Sequence, residues 1–160
     1  MTRVGIFSDS HGDCRSIMKL LEQMGRIHAA CFLGDIASDA AYLQQLLAAM
    51  PGEPPLYAVR GNNDFASMLP DSRMAEIGGK RFYMTHGHLH ANLMSLALRA
   101  KENEADVALF GHTHQPLCEY AYGVLLLNPG SAGSYCRGGR ARASVLEIEG
   151  EKLRVRDIIL

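Results

Sequence analysis

Asp9, His11, Asp35, Asn62, His86, His88, His112 and His114 carry side chains that bind divalent metals, and each stands just after a short apolar run. Val4-Gly5-Ile6-Phe7 leads to Asp9-Ser10-His11, and Ala29-Ala30-Cys31-Phe32-Leu33 to Gly34-Asp35. Leu56-Tyr57-Ala58-Val59 leads to Gly61-Asn62-Asn63-Asp64, Phe82-Tyr83-Met84 to His86-Gly87-His88, and Val107-Ala108-Leu109-Phe110 to Gly111-His112-Thr113-His114. Short apolar runs bounded by Gly and polar residues read as buried strands. In open α/β sheets, sites form outside the carboxyl ends of such strands.

Two carboxylates, an Asn carbonyl and four histidines exceed what one ion of the Zn, Mn or Fe kind takes, roughly four to six ligands. They suit two ions sharing a bridging carboxylate, and two ions about 3.5–4 Å apart clamp an in-line displacement at phosphorus. None of the candidates is a cysteine, so a zinc finger and an iron–sulfur cluster are both poor fits. A Ser-His-Asp triad fits poorly too, because Ser8 or Ser10 would compete with a nest of metal ligands.

In their order along residues 9–131, Asp9-x-His11, Gly34-Asp35, Gly61-Asn62-Asn63-Asp64, His86-Gly87-His88 and Gly111-His112-Thr113-His114 resemble the signature of calcineurin-like metallophosphoesterases. Asn128-Pro129-Gly130-Ser131 resembles a segment of that family's small bacterial and archaeal phosphodiesterases. The resemblance implies one metal on Asp9, His11, Asp35 and His114, and a second on Asp35, Asn62, His86 and His112. It also implies hydrolysis of phosphodiesters by in-line attack of a hydroxide held between the ions. Asp35, Asn62 and His88 are the catalytic candidates; Asn63, Ser131 and Arg137 are the substrate contacts. Manganese is the favoured metal, although mixed nitrogen and oxygen ligands also suit Fe, Zn, Ni and Co.

Many family members have His after the Gly-Asn of the third motif, near the leaving group, whereas this chain has Asn63. An amide does not titrate near pH 7 and cannot act as a general acid. The expectation is a preference for diesters with good leaving groups. Asp64 reads as a cap for the turn or helix that follows it, and Thr113 as a spacer between two ligands. His88 either touches substrate or a metal-held water, or lies at the rim. His90 reads as a surface or helix-capping residue and His28 as a surface residue. Cys136 stands where small relatives often have Pro before an Arg, which leaves the path of the Arg137 loop open.

The elements that must position these residues alternate at first. Strands near 3–8, 29–33 and 56–59 are separated by helices near 13–25 and 38–50, with Ile17, Leu20, Leu21 and Met24 at helical spacing on the first. Strand–helix–strand alternation implies parallel pairing. A hairpin over 74–77 and 80–85 turns at Gly78-Gly79, and a helix near 91–103 follows. Strands near 106–110, 116–121, 123–127, 141–148 and 152–158 complete one domain over residues 1–160. The expected fold is α/β, a two-sheet β-sandwich flanked by helices.

A formal charge of −1 and the absence of a basic stripe argue against binding long nucleic acid. No apolar stretch is long enough to span a bilayer, and the N-terminus has no leader pattern, so a cytoplasmic location is expected. Four dispersed cysteines without CxxC spacing suggest reduced thiols. Met68, Leu69 and Pro70 are candidates to seal a homodimer or lie under the hairpin. The alternatives to a general phosphodiesterase are a non-catalytic scaffold on the same fold and an enzyme for cyclic nucleotides or short nucleic acids.

Overall fold

The structure, a computed structural model, describes residues 1–134 and 139–160. The first half contains β1 (Thr2–Phe7), α1 (Cys14–Met24), β2 (Ala29–Phe32), α2 (Ala37–Ala48), β3 (Leu56–Ala58), β4 (Ser72–Ile77) and β5 (Lys80–Thr85). The second contains α3 (Leu93–Glu102), β6 (Val107–Leu109), β7 (Leu117–Ala121), β8 (Val124–Asn128), β9 (Arg142–Glu149) and β10 (Lys152–Ile159). These are the elements expected from the sequence, with ends shifted by a residue or two.

Two five-stranded sheets form, in the orders β10-β9-β1-β2-β3 and β4-β5-β6-β8-β7. β1, β2 and β3 are parallel, as are β5, β6 and β8. The C-terminal hairpin β9–β10 returns to the first sheet and pairs antiparallel with β1, setting Val4 opposite Leu146.

The strand pleat divides the apolar residues by side. Val4, Ile6, Cys31, Phe82, Met84, Leu109 and Leu127 fill the space between the sheets. Phe7 and Phe32 point the other way, into a cluster with Ile17, Leu20, Met24, Leu43 and Leu47 from α1 and α2. A third cluster seats Leu96, Ala97 and Ala100 of α3 on the outer face of the second sheet. Burying each large aliphatic or aromatic side chain contributes about 1.5–3 kcal/mol, so these three apolar interfaces between four layers hold the sheets together. The carboxyl ends of β1, β2, β3, β5 and β6 consequently meet at one rim.

Caps fix where the helices begin. The Asp13 carboxylate accepts from Ser16 N (3.0 Å) and Ser16 Oγ (2.7 Å) at the start of α1. It also accepts from Ser134 N (2.9 Å) and Ser134 Oγ (2.6 Å), which ties a loop from the far end of the chain to the helix. Asn92 and Ser95 form a capping box on α3. α2 has no cap of its own, and Asp64 supplies one from another loop, accepting Ile36 N (3.1 Å) and Ala37 N (2.7 Å). Asp64 thus caps the helix that precedes it in sequence, not the turn that follows.

Partial burial disfavours the Asp13 carboxylate, but the hydrogen bonds from Ser134 and Ser16 outweigh it and lower its pKa from 3.8 to about 2. A depressed folded-state pKa adds stability that is fully present above the unfolded value and is lost as pH falls through the folded one. Asp13→Ala is expected to cost about 1 kcal/mol at neutral pH. In urea unfolding, its deficit relative to the parent should shrink as pH falls from 3.8 toward 2.

Candidate metal centre

Asp9, His11, Asp35, Asn62, His86, His112 and His114 come together where the five strands end. Asp9, Asp35 and His86 are buried, with ligand atoms that lie within 4.8 Å of one another, and Asp9, His11 and His114 form a second such group. His114 Nε2 lies 3.2 Å from Asp9 Oδ1 and 3.2 Å from His11 Nε2. Asn62 Oδ1 sits 3.0 Å from His86 Nε2 and 2.9 Å from His112 Nδ1. Asp35 lies between the two sets, with Oδ2 3.9 Å from His11 Nε2 and Oδ1 3.6 Å from His86 Nε2.

The backbone works against its own preferences to achieve this. Asp9 (φ 53°), His11 (48°), Asp35 (58°), His112 (66°) and His114 (57°) all adopt the left-handed conformation that residues with a Cβ usually avoid. Strain of this kind is of order 1–3 kcal/mol per residue and persists only where the surroundings impose it. Close loop packing is part of that imposition. A Cβ on Gly34 would lie 2.6 Å from Gly61 N, and a Cβ on Gly61 would fall on the Asp35 carboxylate. Both glycines are therefore required by space, and Gly34 also by its φ of 97°.

The donor set fits a divalent cation. Asp9 Oδ2 accepts from Ser8 Oγ (2.6 Å) and His112 N (2.9 Å), yet Asp9 Oδ1 is buried and accepts no hydrogen bond. A carboxylate oxygen stripped of water without a partner is costly, and a cation among these imidazoles satisfies it. The Leu33 carbonyl accepts a hydrogen bond from His86 Nδ1–H (2.6 Å), which holds the ring's proton on Nδ1 and leaves Nε2 free to ligate.

Residues 2–151 match the family described as the calcineurin-like phosphoesterase superfamily domain. The chain belongs to that family. The Bacillus subtilis protein described as probable metallophosphoesterase YsnB is 36% identical over 79% of this chain and 72% of its own length. Phosphodiesterase MJ0936 of Methanocaldococcus jannaschii is 27% identical, with 99% of each chain covered. A crystal structure of a predicted phosphoesterase from Streptococcus pneumoniae superposes with a TM-score of 0.80 at 27% identity, covering 98% of this chain and 88% of the other. The zinc complex of Vps29 from Entamoeba histolytica shares the fold, with a TM-score of 0.75 at 20% identity and coverage of 99% and 98%.

Much of what holds the phosphoesterase ligands lies outside the motif residues themselves. Asp39 of α2, almost fully buried, accepts from Ser10 Oγ (2.6 Å) and Gly12 N (2.7 Å) and so clamps the turn that carries His11. Asn128 Nδ2 donates to Gly111 O (2.9 Å) and Thr113 Oγ1 (3.1 Å), bracing the loop of His112 and His114. Thr113 is therefore an anchor as well as a spacer. Ser131, expected to touch substrate, is buried, and its hydroxyl donates to the Asp9 carbonyl (2.7 Å). It supports the first motif from below instead of facing the cleft. Asn128 belongs to the Asn128-Pro129-Gly130-Ser131 segment that the family resemblance singles out, whereas nothing in the spacing of Ser8 or Asp39 assigned them a bracing role.

Asn63 donates from Nδ2 to Asp35 Oδ2 (2.7 Å) and from its backbone N–H to Asp35 Oδ1 (3.1 Å), so it orients the carboxylate between the two histidine sets. His88 stands beside this group, its ring 5.3 Å from that of His86 and 6.1 Å from that of His112, and its buried Nδ1 has no hydrogen-bond partner. Burial and the neighbouring His86 and His112 lower its pKa from the usual value, against the opposing pull of Asp71 and Asp35. His90 does not cap α3; it lies 3.2 Å from the Tyr83 hydroxyl. His28 is exposed, and its Nδ1 accepts from Arg3 N (3.0 Å). Met68 is 99% exposed, not under the hairpin, whereas Leu69 packs on the α1–α2 cluster. Arg137 and Cys136 fall outside the described residues. Among those described, Cys14, Cys31 and Cys118 are free, and no helix is long and apolar enough to cross a membrane.

Loss of residues that support metal ligands typically weakens metal affinity about 10–100-fold. Asp39→Asn, which keeps the shape but not the charge that gathers Ser10 and Gly12, is expected to weaken Mn²⁺ binding by about tenfold in calorimetric titration, with α2 retained by circular dichroism.

Proposed function

We propose that this chain is a phosphodiesterase that works with two divalent ions, Mn²⁺ favoured. Asp9, His11, Asp35 and His114 would hold one ion and Asp35, Asn62, His86 and His112 the other, with Asp35 shared. The observation that carries this reading is the buried, unpartnered Asp9 Oδ1 set among imidazoles, with Asp35 placed between His11 and His86. When bound, such ions supply a water activated toward hydroxide near neutral pH and a positive clamp for the phosphoryl oxygens.

The chain's own side chains set the rest. Asp35 is oriented by Asn63, and Asp9 by Ser8 and the His112 backbone. His88, whose ring stands 5.3 Å from that of His86, would contact a phosphoryl oxygen or a water on it. Asn63 stands where a proton donor would serve the leaving group, and its amide cannot give up a proton. The preferred substrates are accordingly diesters whose leaving groups depart without protonation.

A scaffold role without catalysis has the fold likeness to Vps29 on its side. The complete ligand set favours hydrolysis. Because one Vps29 structure is itself a zinc complex, metal content does not separate the two readings, and turnover does.

Dialysis against a chelator is expected to abolish hydrolysis of an aryl phosphodiester, with Mn²⁺ restoring it. Asp9→Asn should lower kcat/KM by at least about 10²-fold with the fold intact; no turnover of any diester with any of the five metals would overturn the enzyme reading. Across a series of diesters, the rate should rise as leaving-group pKa falls. Asn63→His should flatten that slope by raising the rate on alkyl leaving groups, toward the roughly 10²-fold typical of a general acid. A parent enzyme already indifferent to leaving-group pKa would contradict the role assigned to Asn63.

A further inference from the structure

A cavity of about 330 Å³ opens beside the candidate metal centre, and nothing in the proposed chemistry uses it. Ala91, Leu93, Leu96, Phe110, Pro116 and Leu117 form its apolar wall. Its inner end is built from Gly87, Gly111 and His112, the residues that also carry or flank candidate metal ligands. The cavity and the candidate metal centre thus share His112, whose Nδ1 lies 2.9 Å from Asn62 Oδ1.

The chemistry of the lining restricts what can enter. Among the described residues no Asp, Glu, Lys or Arg contributes to it, so a charged group would gain no ionic partner from them for the hydration it loses. Its polar groups are mostly committed. The Asn92 side chain caps α3 through Ser95, and His90 faces the Tyr83 hydroxyl. The exposed Gln115 side chain remains at the mouth as an adaptable donor and acceptor. Phe110, His90 and His112 are among its lining residues, and aromatic side chains favour a flat aromatic neighbour. The volume lies at the low end of roughly 300–1,000 Å³ for ligand pockets, enough for a ring but not for a second phosphorylated unit.

We infer that this cavity receives an uncharged aromatic substituent of the phosphodiester, an aryl or nucleobase ring, while the phosphoryl group lies on the metal centre. The inference rests on the phosphodiesterase reading, and it adds the class of ester group that the site selects. A diester carries two substituents away from phosphorus, and the cavity is a largely apolar space that adjoins the candidate centre at His112. Ala91 and Pro116 at the mouth are exposed, so the ring can enter without any opening of the fold.

Calorimetric binding to the Mn²⁺-loaded protein tests this without turnover. Phenylphosphonate is expected to bind about tenfold tighter than methylphosphonate, the scale that follows when part of a ring leaves water. Ala91→Phe, which fills the cavity from its exposed mouth, should reduce the ratio to near one. Leu93→Ala, which trims one wall, should reduce it by a smaller factor and serves if the larger side chain disturbs folding. Leu98→Ala, on the outer side of α3 and 42% exposed, should leave the ratio unchanged. Adenosine 5′-monophosphate against ribose 5-phosphate separates the two sources of the ring: a base-dependent gain lost in Ala91→Phe assigns a nucleobase, and a gain confined to phenylphosphonate assigns an aryl group. Equal affinity of the parent for ring-bearing and ring-free ligands, or a preference that survives Ala91→Phe, overturns the inference alone. Failure to bind either phosphonate overturns it together with the metal-centre reading.

Discussion

Two carboxylates buried side by side where two sheets meet are the constraint on which the rest of this structure depends. Asp9 and Asp35 lie almost wholly out of water, with ligand atoms within 4.8 Å of each other. Like charges so placed repel strongly in a low-dielectric interior, and each loses hydration as well. Hydrogen bonds from Ser8, Asn63 and the His112 backbone satisfy three of the four carboxylate oxygens. The fourth, Asp9 Oδ1, faces imidazoles whose free nitrogens are the natural companions of a cation.

The fold works to keep that arrangement in place. Apolar packing between the sheets brings five strand ends to one rim, and the loops that leave them are laced to one another by Asp9 N–Gly34 O, Gly111 N–His86 O and Ala132 N–Ser8 O bonds. That lacing holds five ligand residues in left-handed backbone conformations they would not choose alone. Asp39 from α2, Asn128 from the end of β8, and Asp64 and Ser131 from loops add side-chain ties to other segments. Rigidity here is functional, because a metal centre is only as well defined as the groups behind its ligands.

The chain belongs to the calcineurin-like phosphoesterase family, and two features stand beside its candidate ligands. Asn63 has an amide that can orient but cannot give up a proton, and it is spent on Asp35. A cavity with no charged residue among its described lining adjoins the candidate centre at His112. In the proposed reaction, one feature bears on how a bond to phosphorus leaves, and the other on what is attached to it.

The sequence by itself determined the ten strands and three helices of the described residues, the two-sheet architecture and the choice of seven candidate ligands. These depend on local periodicity and on polar residues placed directly after apolar runs, both visible in one dimension. Only the tertiary structure decided that Ser131 braces Asp9, that Asp64 caps α2 from another loop, and that Asn63 holds Asp35. It alone showed that Asp39 braces the first motif, that Asn128 braces the loop of His112 and His114, and that an apolar cavity lies beside the site. Each of these is a contact between segments far apart in the chain. Its partner is chosen by how the sheets pack, and no spacing along the sequence encodes that choice.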